Sequence, residues 1–249
     1  MISLDRNWSL PPSDLLLSTN DAHVWRASLN VSALQIQNLK QTLSIDELKR
    51  AEKFYYRKDC EQFIVARGLL RAILSRYLNL EPDQLSFCYN PYGKPSLVTL
   101  SGKNKINFNL SHSHGLVLYA ITRGREIGID IEHIRPDLVN EEIVKRFFSY
   151  REITFLHALP ANMRRKAFFK YWARKEAYIK AKGKGLSFPL NQFDVSLASE
   201  EPATLLCAKK ALHKGIRLYI QDLFPGFGYA AAIAVEGNDW HLSYWQWQE

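Results

Sequence analysis

Hydrophobic and polar positions follow two rhythms along this chain. Between residues 45 and 78, Phe54, Phe63, Ile64, Leu69, Leu70, Ile73, Leu74 and Leu78 recur at helical spacing, which predicts a long helical region buried along one side. Ser44 with Glu47 three residues on reads as a capping box at its start, and Lys58-Asp59 marks an expected break. Gly68 inside the region costs roughly 1 kcal/mol of helix propensity, so close packing is its expected reason. Further helices are predicted over residues 140–148, 150–158 and 162–182. Short alternating segments predict strands over 18–29, 85–89, 107–111, 116–122, 127–132, 193–197, 203–206, 216–221, 229–235 and 240–247. The stretch Asn90-Pro-Tyr-Gly-Lys-Pro95 is turn chemistry.

The plan runs through the chain twice. Each half has a long helical block, a turn containing Gly-Lys (Gly93-Lys94, then Gly183-Lys184) and short strands. That predicts an α+β fold of two similar halves, 1–124 and 125–249, related as a pseudo-two-fold monomer. The active site is expected where the halves meet, since pockets between domains are common ligand sites.

Two stretches carry candidate chemistry. In Gly128-Ile-Asp-Ile-Glu132, apolar and acidic residues alternate. On a strand this puts Asp130 and Glu132 on one face. Paired carboxylates are hard oxygen ligands that suit Mg²⁺. In Trp172-Ala-Arg-Lys-Glu-Ala-Tyr-Ile-Lys180, Glu176 and Lys180 lie one helical turn apart. Alone, that pair would read as a surface ion pair worth about 0.3–0.5 kcal/mol. With the two strand acids it offers a metal clamp, a base and a cation, the equipment of phosphoryl transfer.

Composition narrows the setting. The 249 residues are 47% hydrophobic and 23% charged, ordinary for a globular protein with a real core. The start of the chain, with its acidic residues and prolines, does not read as a signal peptide, and no stretch is apolar enough to span a bilayer. Three scattered cysteines, Cys60, Cys88 and Cys207, argue against zinc and disulfides, and predict a reducing cytoplasm. The net charge of +8 predicts attraction to an anionic partner.

The motifs Tyr92-Gly-Lys-Pro95, Phe108-Asn-Leu-Ser-His112, Gly128-Ile-Asp-Ile-Glu132, Phe147-Phe-Ser-Tyr-Arg-Glu152 and Trp172 to Lys180 followed by Gly183-Lys-Gly185 stand in a specific order. In that order the chain resembles the 4′-phosphopantetheinyl transferases of the surfactin-synthetase-activating, two-halved type, from about residue 44 to 234. The resemblance implies transfer of the phosphopantetheine arm of coenzyme A to a serine of apo acyl or peptidyl carrier proteins, with release of 3′,5′-ADP. It implies Mg²⁺ held by Asp130, Glu132 and Glu176, with Glu176 also the base, directly or through a metal-bound water, and Lys180 a pyrophosphate contact able to protonate the leaving group. It implies coenzyme contacts at Arg50, Arg67, Lys94, Ser111, His112 and Lys175, of which Ser111, His112, Arg50 and Arg67 face the 3′-phosphate. Trp172 is expected to pack and Glu152 to cap or orient its helix. Glu47 departs from the pattern, standing where some relatives carry lysine.

Two other function classes fit parts of the sequence. A basic chain could bind nucleic acid with steep salt dependence, but no such motif is present and three acids would oppose it. A catalytically dead coenzyme-binding scaffold is disfavoured because every acid is in place. No nucleic-acid partner and no membrane partner are therefore expected.

Overall fold

The computed structural model describes residues 8–98, 105–135, 141–185, 188–195, 203–207 and 217–248. Its elements in chain order are β1 (Asp21–Ser28), α1 (Ala33–Gln41), α2 (Ile45–Ala51), α3 (Arg57–Leu78), β2 (Phe87–Tyr89), β3 (Pro95–Leu97), β4 (Ile106–Ser113), β5 (Leu116–Arg123) and β6 (Ile127–His133). There follow α4 (Glu141–Phe147), α5 (Tyr150–Ala158), α6 (Ala161–Lys182), β7 (Asp194–Val195), β8 (Ala203–Cys207), β9 (Leu218–Leu223), β10 (Tyr229–Glu236) and β11 (His241–Gln246). The fold is α+β with two halves. β2 pairs with β3 in a two-stranded sheet, and the two large sheets have the orders β11-β1-β5-β4 and β6-β10-β9-β8-β7. A 22-residue helix covers each, α3 on the first and α6 on the second. Among the described residues no helix is long and apolar enough to cross a membrane.

Three expectations are corrected. The helical interruption lies at residues 52–56, and Lys58-Asp59 fall inside the first turn of α3. The aromatic run Phe54-Tyr55-Tyr56 stays exposed there, and Tyr56 takes an extended conformation to start α3. Helix α1 was not foreseen. Ser32 and Gln35 close a capping box at its start, but none of its residues is buried, so it carries only a weak apolar signal. Finally, β11 leaves the second half and pairs in parallel with β1, so the division at 124/125 does not hold for the last strand. Residue 140 of the helix expected over 140–148, residues 196–197 of one expected strand and residue 216 of another lie outside the described residues.

Strand composition explains how the layers stack. In β10, Ala230, Ala232 and Ala234 face α6, while Ala231, Ile233 and Val235 face the other half. Small residues let the helix come close, and β-branched ones fill the gap between sheets. In β6, Ile127, Ile129 and Ile131 join that same inter-sheet layer with Val24, Leu118 and Ala120. The alternate residues Gly128, Asp130 and Glu132 therefore lie on the α6 side. A Cβ on Gly128 would stand 2.1 Å from the Ala177 carbonyl oxygen, closer than atoms can approach, so the helix crosses where only glycine fits. Gly68 answers the same need, since its Cβ would meet Leu39 Cβ at 2.6 Å where α1 crosses α3.

The polar positions of β4 stitch the halves together. Asn107 Nδ2 donates to the Arg125 carbonyl at 2.9 Å, and Asn109 Oδ1 accepts from the Ile129 amide at 2.9 Å. Ser111 Oγ donates to Asp130 Oδ1 at 2.9 Å, and Ser113 Oγ accepts from the His133 amide at 3.0 Å. Every second residue of β4 thus bonds to β6 or the turn before it, while Ile106 and Phe108 enter the core beneath α3.

Candidate active site

The β4–β6 seam opens beneath α6 into a cleft of about 510 Å³. Asp130 and Glu132 reach it from β6, Glu176 and Lys180 from α6, Ser111 and His112 from β4. Arg50, from the last turn of α2, and Arg67, on α3, line its far wall with Tyr89. Eight of the ten expected site residues therefore converge from five elements distant in sequence.

Asp130 lies at the bottom, 3% exposed. Its Oδ1 accepts from Lys180 Nζ at 2.6 Å and from Ser111 Oγ, while its Oδ2 is buried without a hydrogen-bond partner. An orphaned buried carboxylate oxygen is costly and calls for a cation or donor. Burial raises the Glu132 carboxyl, and the Asp130 charge raises it further, against Lys180, a Trp172 hydrogen bond and Arg135. Glu176 is pushed up to about 7, first by burial and then by Asp130, with Lys180 opposing and Glu132 adding. Like charges crowded out of water suppress ionisation, and a divalent cation would relieve Glu132 and Glu176. The donor set, all carboxylate oxygen, fits Mg²⁺. The described residues do not already close into a metal-ligand cluster of three, so the acids converge on the cleft without a preset cage.

His112 opens to solvent at the mouth. Partial burial of its ring, then the Lys180 ammonium, hold its imidazole below the usual range, with Asp59 opposing. Arg50 is exposed beside the Phe63 ring.

Two expected coenzyme contacts are not in this cleft. Lys175 is fully buried on the opposite side of α6. Its Nζ donates to the Leu190 and Phe193 carbonyls at 2.6 and 2.7 Å and pairs with Glu152 at 2.8 Å. One residue along a helix turns the side chain by about 100°, which sends Lys175 into the core while Glu176 enters the cleft. Glu152 also accepts from the Ser149 and Val195 amides, so it caps and orients, as expected. Lys94 lines a neighbouring cavity of about 380 Å³ on the other side of the Asn90–Pro95 turn. Its ammonium is spent on the Ala181 carbonyl at 2.9 Å, the Ile127 carbonyl at 3.1 Å and Glu126 at 3.3 Å. It latches the first half to the end of α6.

Glu47 Oε2 accepts from the Ser44 amide at 3.0 Å, and the carboxylate also anchors Arg67 and Arg71. Burial would raise its carboxyl, but Arg67, the Ser44 amide and Arg71 outweigh that and hold it low. Trp172 packs on Phe147 and Phe168 while also bordering the cleft. Sequence reasoning missed Ser113 and Tyr89. Ser113 Oγ donates to Glu132 at 3.4 Å and could have been found as the next period-two position after Ser111.

Comparison with known proteins follows the same residues. Residues 126–234 match the model of the 4′-phosphopantetheinyl transferase superfamily, and residues 25–123 match that of the 4′-phosphopantetheinyl transferase N-terminal region. The chain is 39% identical to the 4′-phosphopantetheinyl transferase HetI of Nostoc sp., over 98% of this chain and all of that one. It is 32% identical to the 4′-phosphopantetheinyl transferase Sfp of Bacillus subtilis, over 77% of this chain and 82% of that one. It is 37% identical to a putative 4′-phosphopantetheinyl transferase of Synechocystis sp., over 63% of each.

Proposed function

Since the chain belongs to the 4′-phosphopantetheinyl transferase superfamily, we propose that it loads apo acyl or peptidyl carrier proteins from coenzyme A with the help of Mg²⁺. The observation that carries this reading is the convergence of Asp130, Glu132, Glu176 and Lys180 in one cleft walled by Arg50, Arg67 and His112. Asp130, Glu132 and Glu176 would hold the magnesium ion, which supplies charge neutralisation to the diphosphate.

The remaining chemistry belongs to the chain. The carrier serine Oγ attacks the β-phosphorus of coenzyme A and forms the new P–O bond. The bond from that phosphorus to the bridging oxygen breaks, and its electron pair leaves with 3′,5′-ADP. Glu176, whose carboxyl the cation would keep ionised, takes the serine proton as general base. Lys180, fixed by Ser111 at 2.9 Å and by Asp130, balances the charge that grows on the leaving phosphate. Arg50, Arg67 and His112 receive the 3′-phosphate, which draws the His112 imidazole toward its protonated form. The net charge of +8 steers the protein toward acidic carriers.

Chelation tests the metal directly. EDTA should stop 3′,5′-ADP release from coenzyme A and an apo carrier, and magnesium should restore it. Release at an unchanged rate in chelator would contradict the assignment.

A further inference from the structure

The far wall of the cleft contains a buried charge cluster with one positive charge left over. Glu47, 1% exposed, is shared by two guanidiniums. Arg67 Nε donates to its Oε1 at 2.7 Å and Arg71 Nε to its Oε2 at 2.8 Å. Arg71 points away from the cleft and spends Nη1 on the Pro82 and Leu85 carbonyls, at 2.8 and 2.9 Å. Arg67 points toward it. Its guanidinium lies 4.6 Å over the Phe87 ring, and its Nη2 donates to the Tyr89 hydroxyl at 3.1 Å.

Among the described residues the Tyr89 hydroxyl accepts that bond and donates none, and Arg67 Nη1 makes no hydrogen bond. Both residues line the cleft together with Arg50, Ser111 and His112. A hydroxyl whose lone pair is held by a guanidinium must aim its own proton elsewhere, and the bond polarises it as a donor. A buried cluster of two arginines and one glutamate is also stabilised by an anion that balances its surplus charge.

We infer that Tyr89 is a further anion-binding residue, its hydroxyl and Arg67 Nη1 forming a paired donor site held rigid by Glu47, and that its ligand is the 3′-phosphate of coenzyme A. The inference rests on the proposed function and deepens it. It also gives Glu47 a positioning role. The buried carboxylate fixes the guanidinium at Nε and Nη2, so the free edge can face only the cleft and Tyr89.

Tyr89→Phe removes the hydroxyl and keeps the ring, so the strand and the Arg67 stacking survive. The variant and the wild type are compared with coenzyme A and with 3′-dephospho-coenzyme A, using an apo carrier as acceptor. Calorimetric titration with adenosine 3′,5′-bisphosphate and with 5′-AMP, in the absence of carrier, gives a readout separate from turnover. Loss of a hydrogen bond to a charged group predicts a KM for coenzyme A raised about 10-fold, with kcat unchanged. The KM for the dephospho form should not move, and the affinity for the bisphosphate should fall by the same factor while that for 5′-AMP is kept. An unchanged preference for coenzyme A over its dephospho form overturns the inference, whether both KM values hold or both rise equally. The functional reading fails differently, through a wild type that modifies no carrier with either coenzyme.

Discussion

At the scale of single residues, the site is a set of groups that would be unfavourable anywhere else. Asp130 keeps a buried oxygen without a partner, and Glu176 is forced up to about 7. Its ordinary value near 4.5 applies in the unfolded chain, so between about 4.5 and 7 the folded state binds more protons. Stability from this group is therefore complete below 4.5 and is lost as the pH rises through 7. Glu176→Gln removes that loss. In metal-free solution at pH 8 the variant should be more stable than wild type, by on the order of 2–3 kcal/mol, and the difference should vanish by pH 4.5. Denaturant unfolding at the two pH values measures it, and a variant no more stable at pH 8 would show that Glu176 is not suppressed by its neighbours. The residue scale is also where the sequence pattern is least informative. Lys175 and Glu176 are adjacent letters, but the helix turn assigns one to the core and the other to the cleft. Lys94 sits in an expected motif, yet its ammonium is consumed by backbone carbonyls. Nothing in the local pattern reveals either partner, because both come from elements distant in sequence.

At the scale of elements, the alternation in β6 does two tasks at once. Its isoleucines seal the space between the sheets, and its Gly-Asp-Glu face receives α6. This was legible in the sequence, since period two fixes which side chains share a face. The same holds for β4, whose polar positions bind the second half. The position of the break before α3 and the existence of α1 were not legible, because neither leaves a strong periodic signal. Gly128 is the element-scale test. Gly128→Ala places a methyl against the Ala177 carbonyl and the Ala181 amide, both backbone atoms of α6 that cannot swing aside. Overpacking of this kind predicts a loss of about 2–3 kcal/mol, together with lost activity as α6 lifts Glu176 and Lys180 from the strand acids. Thermal unfolding and transfer rate check this together. Full activity in a destabilised variant would mean that the helix–strand distance does not set the site.

At the scale of the whole molecule, the two halves contribute unlike parts to one cleft. The first supplies basic and hydrogen-bonding groups from α2, α3 and β4, the second supplies the acids and Lys180 from β6 and α6. The repeated plan of a long helix over a sheet was readable from periodicity. The return of β11 to the first sheet was not, since strand pairing across the whole chain length is set by tertiary packing. That closure, with the Lys94 latch and the β4 stitches, fixes the two walls against each other. The central claim is that Glu176 acts where the walls meet, on a serine of a carrier protein. Intact-mass measurement of an apo carrier after incubation with the protein, coenzyme A and magnesium tests it most directly. Wild type should yield a carrier heavier by one phosphopantetheine on a serine, and Glu176→Gln, properly folded, should yield almost none. An unmodified carrier with wild type, or equal modification by the variant, would contradict the account.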